Sequence, residues 1–232
     1  MQSARWQVFA DCREVISAAC EFVVRVATRA ARERGVFRVV LSGGRTPQPL
    51  YRELAQRALD WDCWNVFFAD ERCLHPGHPD SNAGLASANF LSQVPIPPSQ
   101  VFPIVCGEDG PSGAAQAYSA QLAGVPEFDL VLLGLGEDGH TASLFPGGEW
   151  GTAPTAPAAL PVSDAPPPYR ARVSLSAWRL NLARHVVFLV CGATKNPAVT
   201  KWRSGMRIPA SAIVPDAGVT VMIDRDAFGP SP

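Results

Sequence analysis

The chain has 232 residues, 47% of them hydrophobic and 18% charged, which is ample material for a sizeable core. Its 20 lysines and arginines are matched by 21 acids, so it lacks the basic excess of a nucleic-acid binder and points to a small-molecule partner. No apolar run approaches the roughly 20 residues needed to span a bilayer, and MQSARWQVFADCREV has no apolar run before its first acids. Neither a membrane span nor a secretory signal is expected, and the protein is placed in the cytoplasm.

Asp11, followed three residues later by Glu14, has the form of a helix N-cap with the acid of a capping box. Val15, Ala19, Phe22, Val26 and Ala30 then recur at helical spacing until Gly35 stops the helix. Arg25, Arg29, Arg32 and Arg34 read as its basic, solvated face. The six cysteines, Cys12, Cys20, Cys63, Cys73, Cys106 and Cys191, show no C-x-x-C pair and no regular spacing. They are expected as free, mostly buried thiols rather than as disulfides or a metal site.

Phe37 to Leu41 is a short apolar strand that runs into Ser42-Gly43-Gly44-Arg45-Thr46-Pro47, and a helix is predicted through about Leu59. A glycine-rich turn between a strand and a helix N-terminus suits an anion, although many such turns carry glycine for steric reasons alone. It matches neither the Walker pattern nor the dinucleotide fingerprint. Val66 to Ala69 is the next strand, ending in three charges, Asp70, Glu71 and Arg72, that point toward a site. His75 and His78 follow in a loop whose prolines preclude the one-face helical spacing of a metal-binding pair. Ser81-Asn82 reads as the N-cap of a helix through about Leu91, Val101 to Val105 as a short strand, and Pro111 to Leu122 as a helix.

Residues 128–147, FDLVLLGLGEDGHTASLFPG, open with a solid apolar run typical of a strand buried on both faces. The run breaks into Gly134-Leu135-Gly136-Glu137-Asp138-Gly139-His140-Thr141, which packs glycines, carboxylates, a histidine and a hydroxyl at a strand's carboxyl end. Open α/β sheets bind ligands there. Residues 146–168 read as a surface excursion flanking the pocket. Arg170 to Ser176 alternates as a half-buried strand, Ala177 to Arg184 is a short helix, and Val186–Val190 is a buried strand leading to a helix that begins near Lys195. A lysine there opposes the helix dipole, which makes sense if an anion binds. Val219–Ile223 is the final strand, and with no second core a single domain spanning 1–232 is expected.

Four segments taken together resemble the glucosamine-6-phosphate isomerase/6-phosphogluconolactonase family: LSGGRTP at 41–47, FFADERCLHP at 67–76 with DSN at 80–82, LGLGEDGHTASLFPG at 133–147, and RVSLSAWRLNLARHVVFLVCGATK at 172–195. The resemblance implies a single α/β domain with a mostly parallel sheet flanked by helices, Rossmann-like in the manner of glucosamine-6-phosphate deaminase. The deaminase form reads D-G-H-I-A-F-N-E-P where this chain has Asp138-Gly139-His140-Thr141-Ala142-Ser143-Leu144-Phe145-Pro146, so the lactonase form is the one matched. Cys73, where a larger apolar residue is common, and Asn196, where a small one is usual, are departures that bear on pocket shape.

The implied reaction is hydrolysis of 6-phosphoglucono-δ-lactone to 6-phosphogluconate in the oxidative pentose phosphate pathway. His140 would be the general base on water, Asp138 its orienter or merely a brace for the turn, and Arg72 a stabiliser of charge on substrate or oxyanion. Ser42, Gly43, Gly44 and Thr46, with the cations Arg172 and Lys195, would hold the phosphate. No metal and no cofactor are expected, and the protein is taken to act as a monomer on a sugar-phosphate lactone. Two other readings stand beside this one. An amino-sugar-phosphate deaminase or isomerase would need the other histidine motif. A non-catalytic sugar-phosphate sensor would carry an attached helix-turn-helix domain, and this chain begins only about 35 residues before the Phe37 strand, read as its first sheet strand.

Overall fold

The computed structural model describes residues 2–75 and 77–229. The first half contains β1 (Ala4–Phe9), α1 (Cys12–Arg34), β2 (Phe37–Leu41), α2 (Gln48–Ala55), β3 (Trp64–Phe68), β4 (Asp70–Arg72), α3 (Asn82–Asn89), β5 (Val101–Phe102) and α4 (Gly110–Leu122). The second contains β6 (Leu130–Gly134), β7 (Ala159–Val162), β8 (Arg172–Leu175), α5 (Ala177–Asn181), β9 (Val186–Val190), α6 (Asn196–Arg203), β10 (Val219–Asp224) and α7 (Arg225–Phe228).

Seven strands form a parallel sheet in the order β1-β10-β9-β6-β2-β3-β5. Its central strands are the solid apolar runs, because a parallel strand covered on both faces has no solvent side on which to place polar residues. Every residue of β9 is buried, as are Leu130 to Leu133 of β6. Strand addition reverses direction between β2 and β6, which opens a crevice at their carboxyl ends. A second, antiparallel sheet of order β4-β8-β7 lies beyond those ends.

The structure revises several expectations. The first sheet strand is β1, not the Phe37 strand. It lies at the edge, and its mixture of polar and apolar residues gives no solid run. The excursion at 146–168 contains β7, which has only one neighbour and so tolerates Pro161. The helix after β2 ends at Ala55 and the strand at 101 has only two residues.

In α1, Asp11 caps the backbone of Arg13 and Glu14 as expected, Glu14 accepts from the Ala10 N–H, and Gly35 closes the helix at φ 68°. The buried stripe, however, is Val15, Ile16, Ala19, Cys20, Val23, Ala27 and Ala30, with Phe22 and Val26 only partly covered. Arg34 is not part of a solvated face: its guanidinium meets the buried Asp129 at 2.8 Å. Four cysteines are paired, Cys12 with Cys191 and Cys73 with Cys106, while Cys20 and Cys63 are free. The sequence hid both pairs, because partners 179 and 33 residues apart meet only through the tertiary fold. No helix among the described residues is long and apolar enough to cross a membrane.

Candidate active site

Ser42, Gly43, Gly44, Thr46, Arg72, Asp138, His140, Arg172 and Lys195 all line one cleft of about 750 Å³. They arrive there on the carboxyl ends of β2, β6 and β9 and on the small sheet. Two tyrosines fix the strand ends. Tyr51 of α2 donates its hydroxyl to the Ser42 carbonyl at 2.6 Å, and Tyr118 of α4 accepts from the Phe68 N–H at 2.9 Å.

The turn after β6 is built around the histidine. Gly139 donates to the Gly136 carbonyl at 3.0 Å and Gly136 donates to the His140 carbonyl at 2.8 Å. Thr141 ties the following residue back to Gly134 through its hydroxyl at 2.9 Å. Gly139 takes φ 95°, a left-handed conformation suited to glycine.

Asp138 accepts from the backbone N–H of His140 at 3.0 Å and lies 2.6 Å from its Nδ1. The carboxylate therefore both braces the turn and meets the ring. Burial alone would raise the Asp138 pKa, but the His140 backbone N–H and imidazole outweigh it and hold the carboxyl below its ordinary value. An ionised carboxylate accepts only, so Nδ1 carries the proton and Nε2 keeps the lone pair. The imidazole is one-third exposed, and its other flank packs on Phe145 with ring centroids 4.7 Å apart.

None of the cleft cations Arg45, Arg72, Arg172 and Lys195 forms an ion pair among the described residues. The Arg172 guanidinium lies 5.3 Å over the Phe145 ring, and burial pushes its pKa below the ordinary value. Lys195 closes a short turn, Ala193–Lys195, that leads into α6. The N–H groups of Gly43, Gly44, Arg45 and Thr46 find no acceptor among the described residues and can donate to an anion.

Of the three charges after β3, only Asp70 and Arg72 face the cleft. Glu71 is buried and turned to the start of α3, where it accepts from the backbone of Asn82 and Ala83 and from the Ser81 hydroxyl. Burial pushes its carboxyl up. The structure adds Asn82, whose amide donates to the Asp70 carbonyl and carboxylate at 2.9 and 3.0 Å. Ser143 donates to the other Asp70 oxygen at 2.5 Å. The N-cap reading at Ser81-Asn82 obscured this role. Pro166 and Pro167 form part of the rim, as expected of that loop. The histidines at 75 and 78 stack edge to face at 5.2 Å. Among the described residues, the grouping with metal-ligand spacing is Cys12, Cys191 and Asp224; its two thiols are joined and none of the three lines the cleft.

Residues 10–222 match the family model described as glucosamine-6-phosphate isomerases/6-phosphogluconolactonase. The chain belongs to this family. Within it, the chain is 39% identical over 212 residues to the 6-phosphogluconolactonase of Synechocystis sp., covering 86% of this chain and 87% of the relative. Among solved structures, the 6-phosphogluconolactonase of Trypanosoma brucei superposes with a TM-score of 0.87 at 27% identity, covering 98% of each chain. A monomeric glucosamine-6-phosphate deaminase also superposes, with a TM-score of 0.83 at 21% identity over 97% of this chain and 98% of that one. The family fold is thus common to both activities, and side chains must separate them.

Proposed function

We propose that this protein hydrolyses 6-phosphoglucono-δ-lactone to 6-phosphogluconate with His140 as general base, the whole of 1–232 acting as one domain. The observation that carries this reading is the Asp138–His140 contact at 2.6 Å in a cleft lined by cations without carboxylate partners. Names borne by relatives at up to 39% identity support it. The deaminase reading loses ground at position 145, where the motif quoted for that activity has a carboxylate and this chain sets Phe145 against the imidazole.

In this mechanism Nε2 of His140 takes a proton from water as the oxygen attacks C1 of the lactone. The carbonyl becomes an oxyanion, and Arg72 meets the charge on substrate or oxyanion. The oxyanion then collapses, the bond from C1 to the ring oxygen breaks, and the imidazolium returns its proton to the departing oxygen. The product is a free hydroxyl and a carboxylic acid, which releases its proton to solvent to give the carboxylate. Asp138 keeps the imidazole in the required tautomer and offsets the charge of the imidazolium. Ser42, Gly43, Gly44, Thr46, Arg172 and Lys195 hold the phosphate, and that remote binding fixes C1 against the water.

The test is a coupled assay in which the lactone is generated from glucose 6-phosphate and formation of 6-phosphogluconate is followed above spontaneous hydrolysis. Catalysis that His140→Ala reduces by about a hundred- to ten-thousand-fold supports the reading. A wild-type rate equal to the background, or near-normal turnover by the variant, overturns it.

A further inference from the structure

We infer that Tyr169 and Asp80 are positioning residues that latch Arg72 and Arg172 together as a single anion-binding fork. The inference rests on the lactonase reading for the identity of the anion. Strands β4 and β8 pair Arg72 directly opposite Arg172. Like charges directly opposite each other on neighbouring strands repel, and neither guanidinium forms an ion pair with a carboxylate among the described residues. Something else must hold them.

The hydrogen bonds supply the latch. Arg72 donates from Nη1 to the Asp80 carbonyl at 2.6 Å, and Arg172 donates from Nε to the Tyr169 carbonyl at 2.8 Å. The two acceptor residues are themselves joined, because the Tyr169 hydroxyl donates to the Asp80 carboxylate. The chain Arg72–Asp80–Tyr169–Arg172 is therefore closed by the backbone pairing of β4 with β8. His78 supports it from outside: its Nδ1 accepts from the Asp80 N–H at 3.1 Å, and its ring packs edge to face on Tyr169 at 5.6 Å.

Two consequences follow from this arrangement. Both arginines are gripped through backbone carbonyls, so their charge stays available to a ligand. The Asp80 carboxylate accepts from the Tyr169 hydroxyl and forms no ion pair with Arg72 among the described residues. The latch also joins the 77–81 segment to the loop bearing Pro166 and Pro167, which line the rim of the cleft.

Tyr169→Phe removes only the hydroxyl and leaves the ring on His78, and Asp80→Ala removes the acceptor. Calorimetric titration with inorganic phosphate reads the fork without turnover. Each variant is expected to weaken phosphate binding about fivefold, the size expected for loss of one hydrogen bond. The double variant is expected to be no weaker than the worse single one, since both break the same link. In the coupled assay, kcat/KM for the lactone should fall about fivefold, as when a grip on bound substrate or transition state is loosened. Phosphate binding by Tyr169→Phe within about 1.5-fold of wild type, or losses that multiply in the double variant, would overturn the latch. A wild type that binds phosphate with this pattern yet leaves the lactone uncleaved supports the latch and defeats the lactonase reading alone.

Discussion

Gly136 and His140 compete for the same space: a Cβ added at Gly136 would lie 2.1 Å from Nδ1 of the imidazole. The ring that meets Asp138 occupies the volume that glycine leaves vacant. Gly136 is not in the left-handed region, so its backbone accepts alanine without strain. Gly136→Ala should therefore keep the fold and push the imidazole off its carboxylate. The expected result is a fall in kcat of at least about a hundredfold, approaching that of His140→Ala, with an unchanged melting temperature. Normal turnover by Gly136→Ala would show that the observed position of the ring is not the working one.

Asp138→Asn tests the tautomer. An amide in place of the carboxylate can present its N–H₂ to Nδ1 and so favour the proton on Nε2, where it blocks the base. A loss of about ten-thousand-fold in kcat is the precedent for such a replacement behind a catalytic histidine. Because the histidine here is partly open to solvent, a smaller loss, on the order of a hundredfold, is expected. A variant that retains wild-type kcat would leave Asp138 only the turn-bracing role.

The same carboxylate sets a pH dependence of stability. Its pKa in the fold lies below the ordinary 3.8, so its contribution is fully present above that value and is lost as the pH falls through the lowered one. The difference in melting temperature between wild type and Asp138→Asn should shrink as the pH falls below about 4. A difference that grew below that pH would contradict the depressed pKa.

How legible this molecule is in its sequence depends on burial and on distance along the chain. The strands from Phe37, Val66, Leu130, Val186 and Val219 are legible because double-sided burial leaves mostly apolar residues. Strand β1, ARWQVF, is not, because an edge strand needs no solid run. The nine candidate residues that line the cleft stand out in the sequence because glycines, charges and a histidine gather at strand tips in segments that resemble the family. What sequence could not supply is pairing between remote segments. The opposition of Arg72 and Arg172, the hold of Asn82 on Asp70, and the joining of Cys12 to Cys191 all exist only once the small sheet and the crevice have formed.

Gly43 illustrates how such a remote contact constrains a local motif. A Cβ there would lie 1.9 Å from Oδ1 of Asn82, whose amide is fixed by Asp70. Gly43→Ala must dislodge either the cradle or the Asn82–Asp70 contact. Substrate binding should weaken by about tenfold or more, the effect of losing a hydrogen bond to a charged group. A KM within twofold of wild type would show that the turn relaxes freely.

Lys195 provides the sharpest test of the phosphate site, because its position conflicts with the helix that follows it. The lysine stands at the start of α6, where the helix dipole disfavours a cation, and it has no acidic partner among the described residues. A bound dianion would resolve both problems by pairing with the ammonium and with the positive end of the helix. Lys195→Ala should then raise KM for the phosphorylated lactone by about ten- to a hundredfold with little change in kcat. Hydrolysis of glucono-δ-lactone, which has no phosphate, should change by less than twofold. The preference for the phosphorylated substrate, taken as the ratio of kcat/KM values, would accordingly collapse by the same factor. If that ratio persisted undiminished in Lys195→Ala, the phosphate would have to lie elsewhere in the cleft.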